Sequence, residues 1–270
     1  MPHESSIRLA AFIGVLAVMA LWESLVPRRA RVASRWRRSV GNLLLGFLGA
    51  LVVRVLPFLS AVAAASWAAR QGVGLLNRID APAWAEIILA MLALDLVIYG
   101  QHVATHRWRF LWRFHKVHHA DLDLDATSGL RFHPVEILFS MCLKIVAVVL
   151  LGAAAKAVVL FEVGLNAAAM FNHANIRLPS PIDRGLRWIV VTPDMHRVHH
   201  SILREETDRN FGFNLPWWDW LFGTYQAQPR DPHEHLTLGL PALRTEEETV
   251  PCGVLLAMPF SRDRENESGE

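Results

Sequence analysis

Cysteine is almost missing from this chain: two in 270 residues, Cys142 within an apolar run and Cys252 near the end. That excludes a disulfide framework, a thiolate zinc site and a protein-bound iron–sulfur cluster. Charge is also sparse, at 19% of residues and a net +2, with the basic residues clustered. No nucleic-acid surface is indicated. No Gly-x-Gly-x-x-Gly fingerprint follows a strand, so no dinucleotide site is expected. The first apolar run ends in Glu23 and Arg28-Arg29 instead of a small-residue cleavage site. It reads as a retained membrane anchor.

Apolar residues are abundant, at 53%, and the mean hydropathy is positive, too apolar for an ordinary soluble domain. A bilayer core of about 30 Å needs roughly 20 apolar residues per helix. Residues 7–26 satisfy this, flawed only by Glu23. Residues 41–69 form a second span containing Arg54 and Pro57, and residues 84–101 form a third that carries Asp95 and Tyr99. Six arginines from Arg28 to Arg38 separate the first two spans and place that loop in the cytoplasm. The end of the third span is then cytoplasmic too. Residues 135–171 are apolar but broken at Gly152–Lys156. They either cross twice as short helices or dip in and return, and Lys144 argues against a full crossing. The fold class is therefore all-α, an integral membrane helical bundle of about four to five membrane helices with a cytoplasmic helical cap. Three regions are expected: an N-terminal membrane anchor over 1–83, a catalytic domain over 84–225, and a polar tail over 226–270 whose end, SRDRENESGE, reads as disordered.

Histidine carries the chemistry. Ten of the 13 histidines lie between His102 and His200. They include His102-x3-His106, His115-x2-His118-His119, His133, His173 and His196-x2-His199-His200. At this abundance a His-x2-His-His triplet should arise by chance about 0.03 times in such a length, and two occur. Neutral imidazole is a common metal ligand, and residues three and four apart share a helix face. His102 therefore pairs with His106, His115 with His118 or His119, and His196 with His199 or His200. Asp95, Tyr99, His102 and His106 form one stripe, in which Asp95 serves as a ligand or as a support for a ligating imidazole. His133 precedes Pro134 and should be extended, off the helix faces that carry the other candidate ligands. Between the first two clusters, RWRFLWRF suits the headgroup level. Its Arg109 and Arg113 are candidate docking charges for an acidic partner. The aromatic run NFGFNLPWWDWLFGTY reads as packing that closes the site from water. His233 and His235 stand apart in a Pro/Asp-rich loop and read as bystanders.

These motifs, together with Arg131–Glu136 (RFHP-x-E), Phe171–Asn175 (FNHAN) and the TDRNFGF and WDWLFGTY stretches, resemble the fatty acid hydroxylase superfamily, also called the sterol desaturase family. The resemblance covers about residues 90–225. It implies a membrane-bound di-iron oxygenase that hydroxylates or desaturates a sterol or fatty-acyl C–H bond with O2. It also implies two iron ions held by His102, His106, His115, His118, His119, His173, His196, His199 and His200, with His133 in reserve and Asp95, Tyr99 and Asn172 as outer support. Where better-studied relatives have a His-x3-His in the third cluster, this chain has His173 alone, between Asn172 and Asn175. Reducing equivalents would come from NAD(P)H through a separate cytochrome, ferredoxin or reductase. Three rivals remain. A zinc hydrolase lacks its His-Glu-x-x-His here, a haem-binding electron carrier needs single histidines on facing spans, and a metal transporter needs histidines lining the spans.

Overall fold

Apolar runs punctuated by caps and charges set the frame. The computed structural model describes residues 4–56 and 58–261; the far end of the expected disordered tail, 262–270, lies outside them. Helix α1 (Glu4–Leu25) and α2 (Arg35–Val55) are followed by a short α3 (Ala61–Gln71), then by α4 (Ala83–Arg107), α5 (Arg109–His119), α6 (Pro134–Leu151) and α7 (Ala155–His173). Two short helices, α8 (Ser180–Leu186) and α9 (Pro193–His199), open the remaining cap. Among the described residues there is no β-strand, only isolated bridges. Five helices, α1, α2, α4, α6 and α7, are long and apolar enough to cross a membrane. At 1.5 Å per residue they measure about 27 to 38 Å, matching a core of about 30 Å. The molecule is an integral membrane helical bundle.

Three boundaries differ from the sequence reading. The single second span over 41–69 is two helices. Leu56, the residue before Pro57, leaves helical backbone, and Ser60 caps α3 by accepting the Ala63 N–H at 3.1 Å. At roughly 16 Å, α3 is too short to cross. Helix α2 begins at Arg35, inside the arginine-rich loop, because Arg35 reaches Glu23 at 3.3 Å and Arg38 is drawn into the interior. The third span runs on to Arg107, so His102 and His106 belong to the membrane helix itself.

The 135–171 segment forms two helices, α6 and α7, each long and apolar enough to cross. Their turn is made by Gly152, whose φ of 68° closes α6 in the left-handed conformation that glycine adopts without a Cβ penalty. Lys144 is accommodated by Glu162, 2.8 Å away across the hairpin, and Arg8 of α1 meets the same carboxylate at 2.7 Å. The membrane core between α3, α4, α6 and α7 is built largely of small side chains such as Ala61, Ala65, Ala90, Ala147 and Ala157. Close approach of small residues is the packing available to helices in lipid.

This topology brings the ends of α4 and α7, the whole of α5 and the α9 turn to one end of the bundle. The loop between α1 and α2 joins them. Arg28 N–H donates to the Asn175 carbonyl at 3.0 Å, and the Glu23 carboxylate accepts from Ala126 N at 2.7 Å and Asn175 N at 3.0 Å. The flaw in the first span is thus a strut. Residues 236–258 are also packed, unlike the polar tail expected there. Leu236 and Leu238 are buried, and Leu240, Leu255 and Met258 pack on Leu45, Val117 and Ala120.

Candidate metal centre

The cap residues fold so as to aim imidazoles inward. Helix α9 starts at Thr192 with Pro193 at its first position, where the missing N–H of proline costs nothing. Its turn places His196 and His200 one above the other. The same i, i+4 spacing stacks His102 on His106 in α4 and His115 on His119 in α5.

All nine proposed ligands meet in two groups. His102, His106, His115, His119 and His199 offer one nitrogen each within 4.8 Å of one another, and so do His118, His173, His196 and His200. Every one is buried. The i, i+4 pairs stay together, whereas His118 and His199 cross to the opposite group. The groups adjoin: the His119 and His200 rings stack at 4.4 Å, and His115 and His118 lie at 5.3 Å. The lone His173 of the third cluster sits in the four-membered group, its Nε2 3.0 Å from both His118 Nε2 and His196 Nε2.

Outer hydrogen bonds fix which nitrogen faces inward. Nδ1 donates to the carbonyl of Phe211 from His102 (2.8 Å), of Arg131 from His118 (3.2 Å), of Ala169 from His173 (2.6 Å) and of Arg209 from His199 (2.7 Å). His115 Nδ1 meets Glu136 Oε1 at 2.7 Å. A carbonyl only accepts, so Nδ1 carries the proton and Nε2 keeps its lone pair for a cation. This is the outer arrangement typical of ligating histidines. Buried Nε2 atoms of His106, His115, His119 and His199 have no hydrogen-bond partner, a cost of about 1–3 kcal/mol each unless a cation faces them. Nine inward nitrogens in a water-excluded pocket fit two transition-metal ions of borderline softness, and nitrogen-only sites suit iron, zinc or copper.

Protonation points the same way. Burial first, and then neighbouring imidazoles, hold His118, His119, His196 and His200 well below the ordinary histidine range; burial takes His199 down to about 3. The unfolded chain binds these protons from about pH 6.5 downward, and the folded chain does not. Fold stability is therefore complete above that pH and falls as acid is added, while protons also compete with metal. Metal retained after dialysis at stepped pH should decline below about 6.5; full retention at about pH 4 would contradict this.

The other expected site residues are placed differently. His133 lies outside both groups; it is extended, caps α6 by accepting the Val135 N–H at 3.2 Å, and has Nε2 3.3 Å from the Leu256 carbonyl. Asp95 accepts from Asn214 Nδ2, Leu215 N and Trp218 Nε1, so it pins the 211–218 loop instead of an imidazole. Tyr99 bonds Thr224 at 2.9 Å and packs on Phe211 and Phe222. Asn172 Nδ2 donates to the Phe213 carbonyl at 2.6 Å. That aromatic loop does close the centre: Phe211 rests on His102, His106 and His199, 5.1 to 5.6 Å between ring centres. On the other sides, Phe132 stacks on His118 at 4.3 Å and Trp112 lies 5.1 Å from His106. In RWRFLWRF, Trp108 and Phe110 point outward while Trp112 is turned to the centre. Arg113 donates to the Pro259 carbonyl at 2.9 Å. His233, read as a bystander, is buried with Nε2 3.7 Å from Asp194.

Two supports escaped the sequence reading: Glu136 behind His115, and Asp219, which accepts from Phe211 N and Gly212 N at 2.8 Å each. A carboxylate in the first turn of an apolar helix was the available signal for Glu136. Glu136→Gln should lower metal affinity roughly 10–100-fold with the fold intact, read by chelator competition.

Beside the centre lies a cavity of about 650 Å³ between α1, α4, α7 and the cap, lined by apolar residues such as Val15, Met91, Phe161, Val191 and Trp217. Asn172, next in sequence to His173, lines it as well.

A sequence model of the family described as fatty acid hydroxylase matches residues 87–224. The chain is 31% identical over 180 residues to the ornithine lipid hydroxylase OlsE of Rhizobium tropici, covering 66% of this chain and 51% of that one. It is 26% identical over 144 residues to the alkylglycerol monooxygenase of Homo sapiens, covering 52% and 30%. With a very-long-chain aldehyde decarbonylase of Oryza sativa subsp. indica it shares 23% over 178 residues, covering 63% and 27%. The chain thus spans about half or less of the length of these relatives. No solved structure matches it.

Proposed function

The chain belongs to the fatty acid hydroxylase family, and from that premise we propose that it is a membrane oxygenase that hydroxylates or desaturates a lipid C–H bond with O2. The observation that carries this reading is the pair of adjoining, buried, all-imidazole groups beside an apolar cavity. No side chain breaks an unactivated C–H bond; two irons held by the nine histidines supply that oxygen chemistry when bound. The relatives support a lipid substrate, since their names specify an ornithine lipid, alkylglycerols and very-long-chain aldehydes.

The protein's own part is binding, orientation and exclusion of water. The cavity takes an apolar chain between α1, α4, α7 and the cap. Phe211, Phe132 and Trp112 cover the imidazoles, so charge near them acts in a low dielectric. The backbone carbonyls and Glu136 hold Nδ1 protons in place and keep Nε2 free. Electrons come from NAD(P)H through a separate cytochrome, ferredoxin or reductase. The centre is proposed to face the cytoplasm, because the arginine-rich loop shares its end of the bundle. Single cysteines at residues 31 and 230 should then be labelled only from the cytoplasmic side, and labelling from the opposite face would overturn the topology.

Imidazole rings packed 4.3 to 6.4 Å apart across the centre leave no space for a macrocycle, which disfavours the haem alternative. Zinc remains chemically compatible with the donors. The deciding experiment is metal analysis of anaerobically purified protein with O2 uptake on lipid extracts and a supplied reductant. Two irons per chain and substrate-dependent O2 consumption are expected. A zinc-loaded protein that hydrolyses lipid without consuming O2 would overturn the oxygenase reading.

A further inference from the structure

The two histidine groups differ in what separates them from solvent. Of the three rings that cover the centre, Phe211 is fully buried against the five-histidine group, and Phe132 stacks on His118 of the other. Trp112 is half-buried and lies against three of the five imidazoles at once. Its ring centre is 5.1 Å from that of His106, 5.4 Å from His119 and 6.2 Å from His115. The Arg204 guanidinium sits 5.3 Å over the same indole, a cation–π contact made by a side chain that is 57% exposed. Arg204 Nη2 also donates to the His106 carbonyl at 3.2 Å. One indole therefore joins the five-histidine group to a charged surface. Successive helical residues turn by about 100°, so Phe110 and Phe114, which meet edge to face at 5.6 Å, lie roughly opposite Trp112 on α5. Arg109, three residues before Trp112, shares its side. Arg107, Arg109, Arg204 and Arg209 are exposed here, against Glu205 and the half-buried Asp208, so positive charge predominates.

We propose that electrons enter the centre at the five-histidine group through Trp112, delivered by an acidic one-electron carrier protein that docks over Arg109 and Arg204. This rests on the oxygenase reading and assigns its electron port. A positive patch meets a negative one, which steers the encounter and fixes the register of docking. Each transfer takes one electron from the reduced centre of the carrier, which is oxidised, and makes one ferric ion held by the five histidines ferrous. No bond or proton moves at the indole. Tunnelling falls steeply with distance and faster through gaps than through packed rings, so a ring set against three imidazoles is a bridge. The guanidinium over that ring opposes an indole radical cation, so Trp112 conducts without itself being oxidised.

The test follows anaerobic reduction of the ferric, iron-loaded full chain by a photoreduced acidic plant-type [2Fe–2S] ferredoxin in stopped flow, without lipid or O2. Trp112→Leu should slow the transfer step roughly tenfold or more, and Trp112→Phe, which keeps a ring, should give an intermediate rate. Metal content, the final ferrous content under excess dithionite, and binding of oxidised ferredoxin to the zinc-loaded chain should be unchanged in both; a merely structural role for Trp112 would lower them. Should Trp112→Leu lose metal, Trp112→Phe carries the comparison. Substituting Arg109→Gln and Arg204→Gln together should weaken ferredoxin binding about tenfold at low salt, and wild-type binding should fade between roughly 0.05 and 0.5 M salt. A transfer rate indifferent to both Trp112 substitutions overturns the proposal, as does binding indifferent to the arginines and to salt. Trp112-dependent reduction without any O2-dependent lipid oxidation would sink the oxygenase reading and leave the port standing. Lipid oxidation with reduction that ignores Trp112 would do the reverse.

Discussion

His118→Ala and His199→Ala should each remove about one equivalent of metal per chain and reduce O2-dependent lipid oxidation to background. These two are the most informative positions because each crosses between groups. His118 leaves its α5 neighbours to join His173, His196 and His200, and His199 joins His102, His106, His115 and His119. The loss should exceed the roughly 10–100-fold that removal of an outer partner costs. Each truncation also strips a carbonyl, that of Arg131 or Arg209, of its donor, which costs about 1–3 kcal/mol of stability. Thermal stability has to be followed beside metal content so that the two effects separate. His133→Ala is the matched control. It removes a helix cap, about 1 kcal/mol, and should leave metal untouched. Normal metal content and turnover in His118→Ala or His199→Ala would remove them from the centre.

The crossing of His118 and His199 shows how much of the site can be read from spacing. Successive helical residues are turned by about 100°, so two adjacent histidines cannot serve one centre. The doublets His118-His119 and His199-His200 therefore demand two centres. Which member joins which group depends on where α7 and α9 lie, and that is tertiary information. The placement of five long apolar helices was legible for the same reason that lipid permits little else. The break at Leu56–Ser60 was not, because apolar composition continues straight through it and only Pro57 marks it. The arginine-rich loop was half legible. Its sign fits one side of a membrane, but Arg28 pairs with Asp194 and Glu234 and Arg38 is fully buried. The missed signal was the alternation Asp121-x-Asp123-x-Asp125 just beyond the second cluster, three acids two apart, of opposite sign to the arginines. In an extended stretch such residues share a side; here the Asp121 and Asp125 carboxylates and the Asp123 carbonyl close around one guanidinium, while the Asp123 carboxylate accepts from Val32 N and Ala33 N.

That guanidinium carries the largest expected effect on stability. Arg38 Nε and Nη2 grip the two oxygens of Asp121 at 2.6 and 2.8 Å, Nη1 reaches Asp125 at 2.8 Å, and Nη2 also donates to the Asp123 carbonyl at 2.8 Å. Burial alone would raise the Asp121 carboxyl; Arg38, and after it Arg131, pull it far below the usual carboxylate range. The segment so anchored leads into Arg131, whose carbonyl holds His118. Arg38→Met would leave two carboxylates buried without their cation, a loss of about 3–5 kcal/mol, lowering the thermal midpoint in detergent by on the order of 10 °C. Arg38→Lys keeps the charge but not the fork that spans two carboxylates, and should recover only part of the loss. Arg37, half exposed and paired with Glu246 at 2.7 Å, supplies the comparison: Arg37→Ala should cost less than about 1 kcal/mol. Equal midpoints for Arg38→Met and Arg37→Ala would show that the acidic segment is held by something other than this arginine. If the network does hold the segment, Arg38→Met should also shed metal from the group of His118 before that of His199, because only the first hangs from the Arg131 carbonyl.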